Sequence, residues 1–170
     1  MTATSMAPTR TPRRIVGDLS GITALTLVLS GVVGAAWGFF SPRAEVETLG
    51  EGSFMPPADY GAHDFPLYIG YLVLVVLGGV VIGAACSRVS KKITGQLVAV
   101  VLALVAALTV LATGHSVAYL LTDSDALMGP EGAMVTVRSS VEVGAAFLWA
   151  PLAAAATWLY GVYTTTSNAE

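Results

Sequence analysis

The stretch from Ile93 to Thr122 reads ITGQLVAVVLALVAALTVLATGHSVAYLLT. It contains no Asp, Glu, Lys or Arg, and His115 is its only side chain that titrates near neutral pH. A transmembrane helix needs about 20 consecutive, predominantly apolar residues to cross a hydrocarbon layer about 30 Å thick. The stretch is longer than that requirement. It therefore predicts a membrane-spanning helix and places the chain among integral membrane proteins.

The rest of the chain repeats this pattern three times. The four predicted spans are approximately residues 19–41, 65–87, 95–121 and 141–163. Of all residues, 55% are hydrophobic and only 11% are charged, whereas soluble domains carry about 25% charged residues. We therefore predict an all-α fold, an integral membrane four-helix bundle over residues 19–163. Residues 1–18 are predicted to be a mobile tail, and residues 164–170 a second, short tail.

The first stretch has one competing interpretation, a cleaved signal peptide, because basic residues precede an apolar run. The apolar regions of signal peptides are usually about 7–15 residues long. The run from Leu19 to Ser41 is longer than that and begins late in the chain. We therefore expect a retained first helix.

Basic residues are distributed unevenly between the two sides of the membrane. One side carries six of them, Arg10, Arg13, Arg14, Arg88, Lys91 and Lys92. The other side carries Arg43 and Arg138, within two predicted loops, 42–64 and 123–140, that are rich in acids. Cytoplasmic loops carry the excess of Lys and Arg in membrane proteins. The sequence therefore predicts a multi-pass protein of the plasma membrane with both termini in the cytoplasm.

Mostly small residues recur along the first predicted helix at alternating steps of three and four, which places them on one face. The members of this stripe are Gly17, Ser20, Ala24, Leu27, Gly31, Gly34, Gly38 and Ser41. Small residues permit the close backbone approach by which helices associate in lipid. The G-x-x-x-G spacing occurs at Gly34 and Gly38 and again at Gly79 and Gly83. We predict that these four glycines and Gly31 pack against other helices, either of the bundle or of a partner chain.

The spans carry few groups that could perform chemistry. His115 lies toward the outer end of the third span, where we expect it to meet water or an acid of a loop. His63, Asp59 and Asp64 are too few to complete a zinc site. The sequence contains no nucleophile triad, phosphate loop or dinucleotide fingerprint. We therefore predict no catalytic, cofactor-binding, metal or nucleic-acid site. Pro151 is predicted to kink the fourth helix.

Two short motifs carry a family resemblance. Gly34-Ala-Ala-Trp-Gly38-Phe-Phe-Ser-Pro42 precedes an acidic loop, a second span and a short basic turn, and Phe147-Leu-Trp-Ala-Pro151 lies in the last span. In these features, over residues 19–163, the chain resembles small four-span membrane proteins of actinobacteria that are classed as a domain of unknown function. In general character it is also similar to accessory subunits of actinobacterial respiratory supercomplexes. The resemblance implies a membrane subunit and supplies no catalytic residues.

Three classes of function are compatible with the sequence. The first is a non-catalytic accessory or scaffold subunit of a larger membrane complex, such as a respiratory one, whose partners are the lipid bilayer and other membrane subunits. The shortage of polar groups in the spans and the small-residue faces favour it. The alternative is a small transporter or channel subunit, which would line a route with polar groups. An enzyme that acts on lipid is the third class. Proteins that co-purify with the chain would separate these classes.

Overall fold

The computed structural model describes residues 12–50, 53–55, 64–122, 128–138 and 143–167. In chain order the elements are α1 Pro12–Phe39, β1 Arg43–Gly50, β2 Ser53–Met55, α2 Asp64–Val89, α3 Ile93–Leu120, β3 Met134–Arg138, a 3₁₀ helix Gly144–Leu148, and α4 Trp149–Ser167. Within these residues four segments are long and apolar enough to cross a bilayer, Ile15–Phe39, Phe65–Val89, Ile93–Leu120 and Gly144–Thr165. The predicted fold class, a membrane four-helix bundle, is confirmed.

The first helix begins earlier than predicted. Residues 12–18 are helical, so the prediction of a mobile tail is wrong for them, and residues 1–11 lie outside the described part. Pro12 occupies the first helical position, where its missing N–H costs no hydrogen bond and its fixed φ suits the helix. The prediction placed the start of the helix at residue 19, where the uncharged run begins. A helix can continue beyond the hydrocarbon, however, because its backbone hydrogen bonds are internal.

The fourth span begins differently from the prediction. Residues 141 and 142 lie outside the described residues, and the helical structure starts with the 3₁₀ helix at Gly144, whose φ is +49°. A left-handed residue interrupts a right-handed helix, and glycine adopts that conformation at no steric cost. Pro151 is the third residue of α4. The predicted kink at Pro151 stays a prediction: α4 directly follows the 3₁₀ helix, and proline in the first turn removes no hydrogen bond of α4 itself.

Helix α3 lies at the centre of the bundle. It contacts all three other helices, and the remaining extensive contact joins α2 to α4. Its inward face carries alanines at helical spacing, with Ala99, Ala103 and Ala107 buried in the core. Such small side chains let neighbouring backbones approach closely, which is the main source of attraction between helices in lipid.

A three-stranded antiparallel sheet occupies part of the two segments that were predicted as loops. Its strand order is β2-β1-β3, and Val46 of β1 lies opposite Val135 of β3. Side chains alternate along β1, with Val46 and Thr48 buried and Glu45 and Glu47 exposed. This is the period of two that a half-buried strand requires. The prediction judged these segments by their acidic charge and missed the alternation.

The turn between α2 and α3 is fastened to α4. The Trp158 indole N–H donates a hydrogen bond of 3.1 Å to the carbonyl oxygen of Ser90, and both residues are buried. The Ser90 backbone N–H in turn donates to the Cys86 carbonyl oxygen at 2.9 Å. The Trp158 side chain thus fixes the C-terminal half of α4 against the turn between α2 and α3.

Replacing Trp158 with phenylalanine is expected to lower the free energy of unfolding by about 1–2 kcal/mol, because the buried Ser90 carbonyl loses its donor. Thermal unfolding in detergent, followed by circular dichroism, measures the effect. Trp149→Phe is the matched control, since Trp149 is exposed. Equal midpoints for the two variants would contradict a structural role for the Trp158 hydrogen bond.

Candidate functional site

The face of α1 that contacts α3 carries two of the predicted packing glycines. A Cβ atom at Gly34 would lie 2.8 Å from the Val110 Cα atom, and one at Gly38 would lie 2.9 Å from the Gly114 carbonyl carbon. Real Cβ atoms do not approach so closely. Both glycines are therefore positions where the backbones of α1 and α3 meet without an intervening side chain.

The second glycine pair forms an equivalent contact between α2 and α4. A Cβ at Gly79 would lie 3.1 Å from the Ala150 carbonyl carbon, and one at Gly83 would lie 3.0 Å from the Ala154 Cα atom. Alanine is the facing residue at each position, so both helices contribute small residues. The closest backbone approaches at the predicted packing glycines are thus two, α1 with α3 and α2 with α4.

Gly31, the fifth predicted packing residue, does not take part in either contact. No atom of the described residues lies within 4 Å of a Cβ built at Gly31, and the same is true of Gly17 and Gly21. The predicted stripe is therefore divided. Its part near the C-terminal end of α1, with Gly34 and Gly38, contacts α3, whereas Gly17 and Gly31, earlier in the helix, lie on an outward face where a Cβ atom would meet no described neighbour.

That outward face has a regular composition. It consists of Gly17, Gly21, Ala24, Val28, Gly31 and Ala35, which follow one another at alternating steps of four and three. The first four are exposed and the last two are half-buried. We call this set the α1 outer face. It is a continuous strip of mostly small residues on the surface of the helix, the composition that helix–helix contacts in membranes favour.

An aromatic cluster lies at the C-terminal end of α1, where the contact with α3 ends. The Trp37 ring lies 5.9 Å from that of Tyr71 and 6.0 Å from that of His115, measured between centroids. The Tyr71 hydroxyl donates a hydrogen bond of 3.1 Å to the Ala107 carbonyl oxygen. Tyr71 is fully buried.

The prediction that His115 meets water or a loop acid finds no support in the described part of the chain. Its Nε2 atom is buried and has no hydrogen-bond partner among the described residues. The imidazole instead lies beside the Trp37 indole. The burial of Tyr71 could have been predicted, because Tyr71, Val75 and Gly79 stand four residues apart and form one helical face.

The exposed face of the sheet combines charge with apolar surface. Glu47 of β1 lies opposite Met55 of β2 on one side and Met134 of β3 on the other. All three side chains are exposed, and so is that of Glu45 on the same strand. Flexible methionine side chains adapt to varied contact surfaces. The sheet therefore presents acids and apolar side chains together.

The part of the chain that the structure describes contains no group of three or more His, Cys, Asp or Glu residues that could hold a metal ion. Cys86, a free cysteine, is buried in the core. Comparisons with protein-family models, with curated proteins and with solved structures give no match. The resemblance noted from the two motifs therefore stays a prediction. Among the described residues, two surfaces are candidates for partner contact: the α1 outer face and the exposed face of the sheet.

Proposed function

We propose that this protein is a non-catalytic accessory or scaffold subunit of a larger membrane complex, and that the α1 outer face contacts another membrane subunit. Respiratory complexes are the first class to test, because the sequence resembles their accessory subunits in general character. The observation that carries the proposal is the division of the glycine stripe. Half of it packs inside the chain, and half lies on a surface where the fold does not use it.

Helix α1 is the least buried of the four spans. In the most apolar 18-residue stretch of α1, 6% of the residues are buried, whereas 39% are buried in the corresponding stretch of α3. Most of the helix surface is therefore available to lipid or to another protein. Because α1 contacts the bundle mainly through α3, the rest of the α1 surface is available for contact with a partner.

The glycines of the α1 outer face are costly in a helix that contacts only lipid. Glycine is less favourable than alanine in a helix interior by about 1 kcal/mol. Gly17 and Gly31 have helical backbones, and neither supports a close contact within the described residues. Close approach of a partner helix would give them a role, because backbone contact is what such residues permit.

The sheet supplies a second surface for the same complex. Glu45 and Glu47 are exposed beside Met55 and Met134. A basic surface of a partner would complement the acids, which guides encounter and fixes register. The methionine side chains would add apolar contact. Together the two surfaces would engage a partner both within the membrane and outside it.

Replacing both Gly17 and Gly31 with leucine is expected to reduce co-purification of partner subunits at least about tenfold, because bulk at a close helix contact costs about 1–3 kcal/mol per site. The measurement is affinity purification of the tagged full-length protein from its native membrane in mild detergent, with quantitative mass spectrometry. The thermal midpoint of the purified variant should stay that of the wild type, since neither substitution meets a described atom.

Gly70→Leu is the matched control, because Gly70 is an exposed helical glycine of α2 with open space around it in the described structure. It should retain the partners. If the double variant retains them equally, the α1 outer face is not the contact. If the wild-type protein purifies without any stoichiometric partner, the proposal of an accessory subunit fails.

A further inference from the structure

An apolar crevice lies between α1 and α2 with α3 as its floor. Its volume is about 280 Å³. Representative lining residues are Ser30 and Val33 of α1, Leu77 and Gly78 of α2, and Ala106 and Val110 of α3. Helices α1 and α2 make few contacts with each other, in contrast to the extensive contacts of each with α3. The crevice is therefore open along the side where α1 and α2 separate.

The crevice lies at the depth of the bilayer centre. On α2 it is lined between residues 74 and 82 of the span Phe65–Val89, and on α3 between residues 103 and 110 of Ile93–Leu120. Both segments are in the middle of their spans. At a rise of 1.5 Å per residue the α2 wall is about 12 Å long, close to half of the roughly 30 Å hydrocarbon thickness. The opening consequently faces the ends of the lipid acyl chains.

The walls favour a hydrocarbon and disfavour water. Most lining residues are aliphatic, two are glycines, and Thr26 and Ser30 carry hydroxyl groups. The Ser30 hydroxyl already donates a hydrogen bond of 3.0 Å to the Leu27 carbonyl oxygen. An apolar cavity of about 150 Å³ in another protein stays dry and binds small hydrocarbons. The crevice is larger than that and opens to hydrocarbon. Leaving it empty would forfeit the dispersion contacts of its lining.

We propose that this crevice binds the terminal part of one phospholipid acyl chain. A partner helix cannot enter the crevice and could only lie across its opening, because a helix with its side chains is about 10–12 Å across and a span is about 30 Å long, dimensions far beyond this volume. The inference is independent of the proposed function. With 3.6 residues per turn, Ser30 and Val33 lie on nearly the opposite side of α1 from the α1 outer face.

Gly78 provides a direct way to fill the crevice. It lines the space, and a Cβ built on it meets no atom of the described chain within 4 Å. Gly78→Leu therefore directs an aliphatic side chain into the space where the acyl chain would lie, with no clash at its Cβ atom. The neighbouring Gly79 would not serve, because it packs against α4. Gly31→Leu is the matched control, another open glycine near mid-span but on the α1 outer face.

The test measures phospholipid that stays bound to the full-length protein after transfer from dioleoyl phosphatidylglycerol and phosphatidylethanolamine nanodiscs into detergent, by native mass spectrometry. Gly78→Leu is expected to lower retention severalfold, because its side chain occupies the space of the acyl-chain end and takes over the dispersion contacts with the lining. Its thermal midpoint should not fall, and Gly31→Leu should retain lipid like the wild type. Equal retention by Gly78→Leu and the wild type, or a wild type that retains no phospholipid, would overturn the proposal.

A second measurement needs no variant. Wild-type protein in nanodiscs is photolabelled with a phospholipid that carries a diazirine near the end of its acyl chain. Labelling concentrated in residues 74–82 and 103–110 supports the proposal. Labelling of these segments no stronger than that of the α1 outer face would show that the crevice is ordinary lipid-facing surface and would overturn it.

Discussion

Replacing Gly34 and Gly38 together with leucine is expected to lower the thermal midpoint by roughly 10 °C or more, or to abolish folding. The atoms in the way are the Val110 backbone and the Gly114 backbone of α3. A backbone cannot rotate aside as a side chain can, so α1 must move away from α3 along the whole contact. Overpacking costs about 1–3 kcal/mol per site, and a domain of this length loses about 2–4 °C per kcal/mol.

The control for this prediction lies on the same helix. Gly17→Leu combined with Gly31→Leu introduces the same two side chains into α1, at positions where no described atom stands within 4 Å. Thermal unfolding and size-exclusion chromatography in detergent compare the two double variants. Equal midpoints would mean that the α1–α3 contact contributes little to stability and that its glycines reflect composition alone.

The number and type of the helices could be predicted from the sequence because a bilayer imposes a simple condition, a long run without charge. The condition does not determine where a helix ends. Helix α1 continues through charged residues to Pro12, since only the part inside the hydrocarbon must be apolar. At the other end of the chain, the left-handed Gly144 delays the start of the fourth span.

The packing glycines could be predicted only in part. Small residues are so frequent in the first span that more than one face of the helix can be assembled from them. Spacing alone cannot say which face meets α3. The structure separates Gly34 and Gly38 from Gly31 because α1 and α3 approach each other most closely toward the C-terminal end of α1. That arrangement depends on the path of both helices, which no local pattern encodes.

The sheet was missed for a different reason. Its strands carry alternating buried and exposed residues, and β3 contains the β-branched residues Val135, Thr136 and Val137. Both signals were available in the sequence. The segments were nevertheless predicted as loops, because a high content of acidic residues is equally typical of loops. Cross-strand pairing with β1, a segment far away in sequence, is what turns these residues into a strand.

The last prediction concerns the orientation of the protein, for which six basic residues on one side and two on the other favour a cytoplasmic location of both termini. Labelling of single cysteines tests it in a Cys86→Ala background, which removes the one native thiol. Ser53 is an exposed residue of β2, and Lys91 is an exposed residue of the turn between α2 and α3. Ser90 in the same turn is unsuitable, because it is buried and its hydroxyl accepts a hydrogen bond from the Lys92 N–H.

In intact cells a membrane-impermeant maleimide is expected to label Ser53→Cys to completion and Lys91→Cys hardly at all. After permeabilisation both should react, which shows that protection of Lys91→Cys arises from the membrane and not from burial. The expected contrast is all-or-none, because the sheet and the turn lie at opposite ends of α2. Labelling of Lys91→Cys in intact cells together with protection of Ser53→Cys would reverse the topology. It would also place the acidic face of the sheet in the cytoplasm, where any basic partner of Glu45 and Glu47 would then have to be sought.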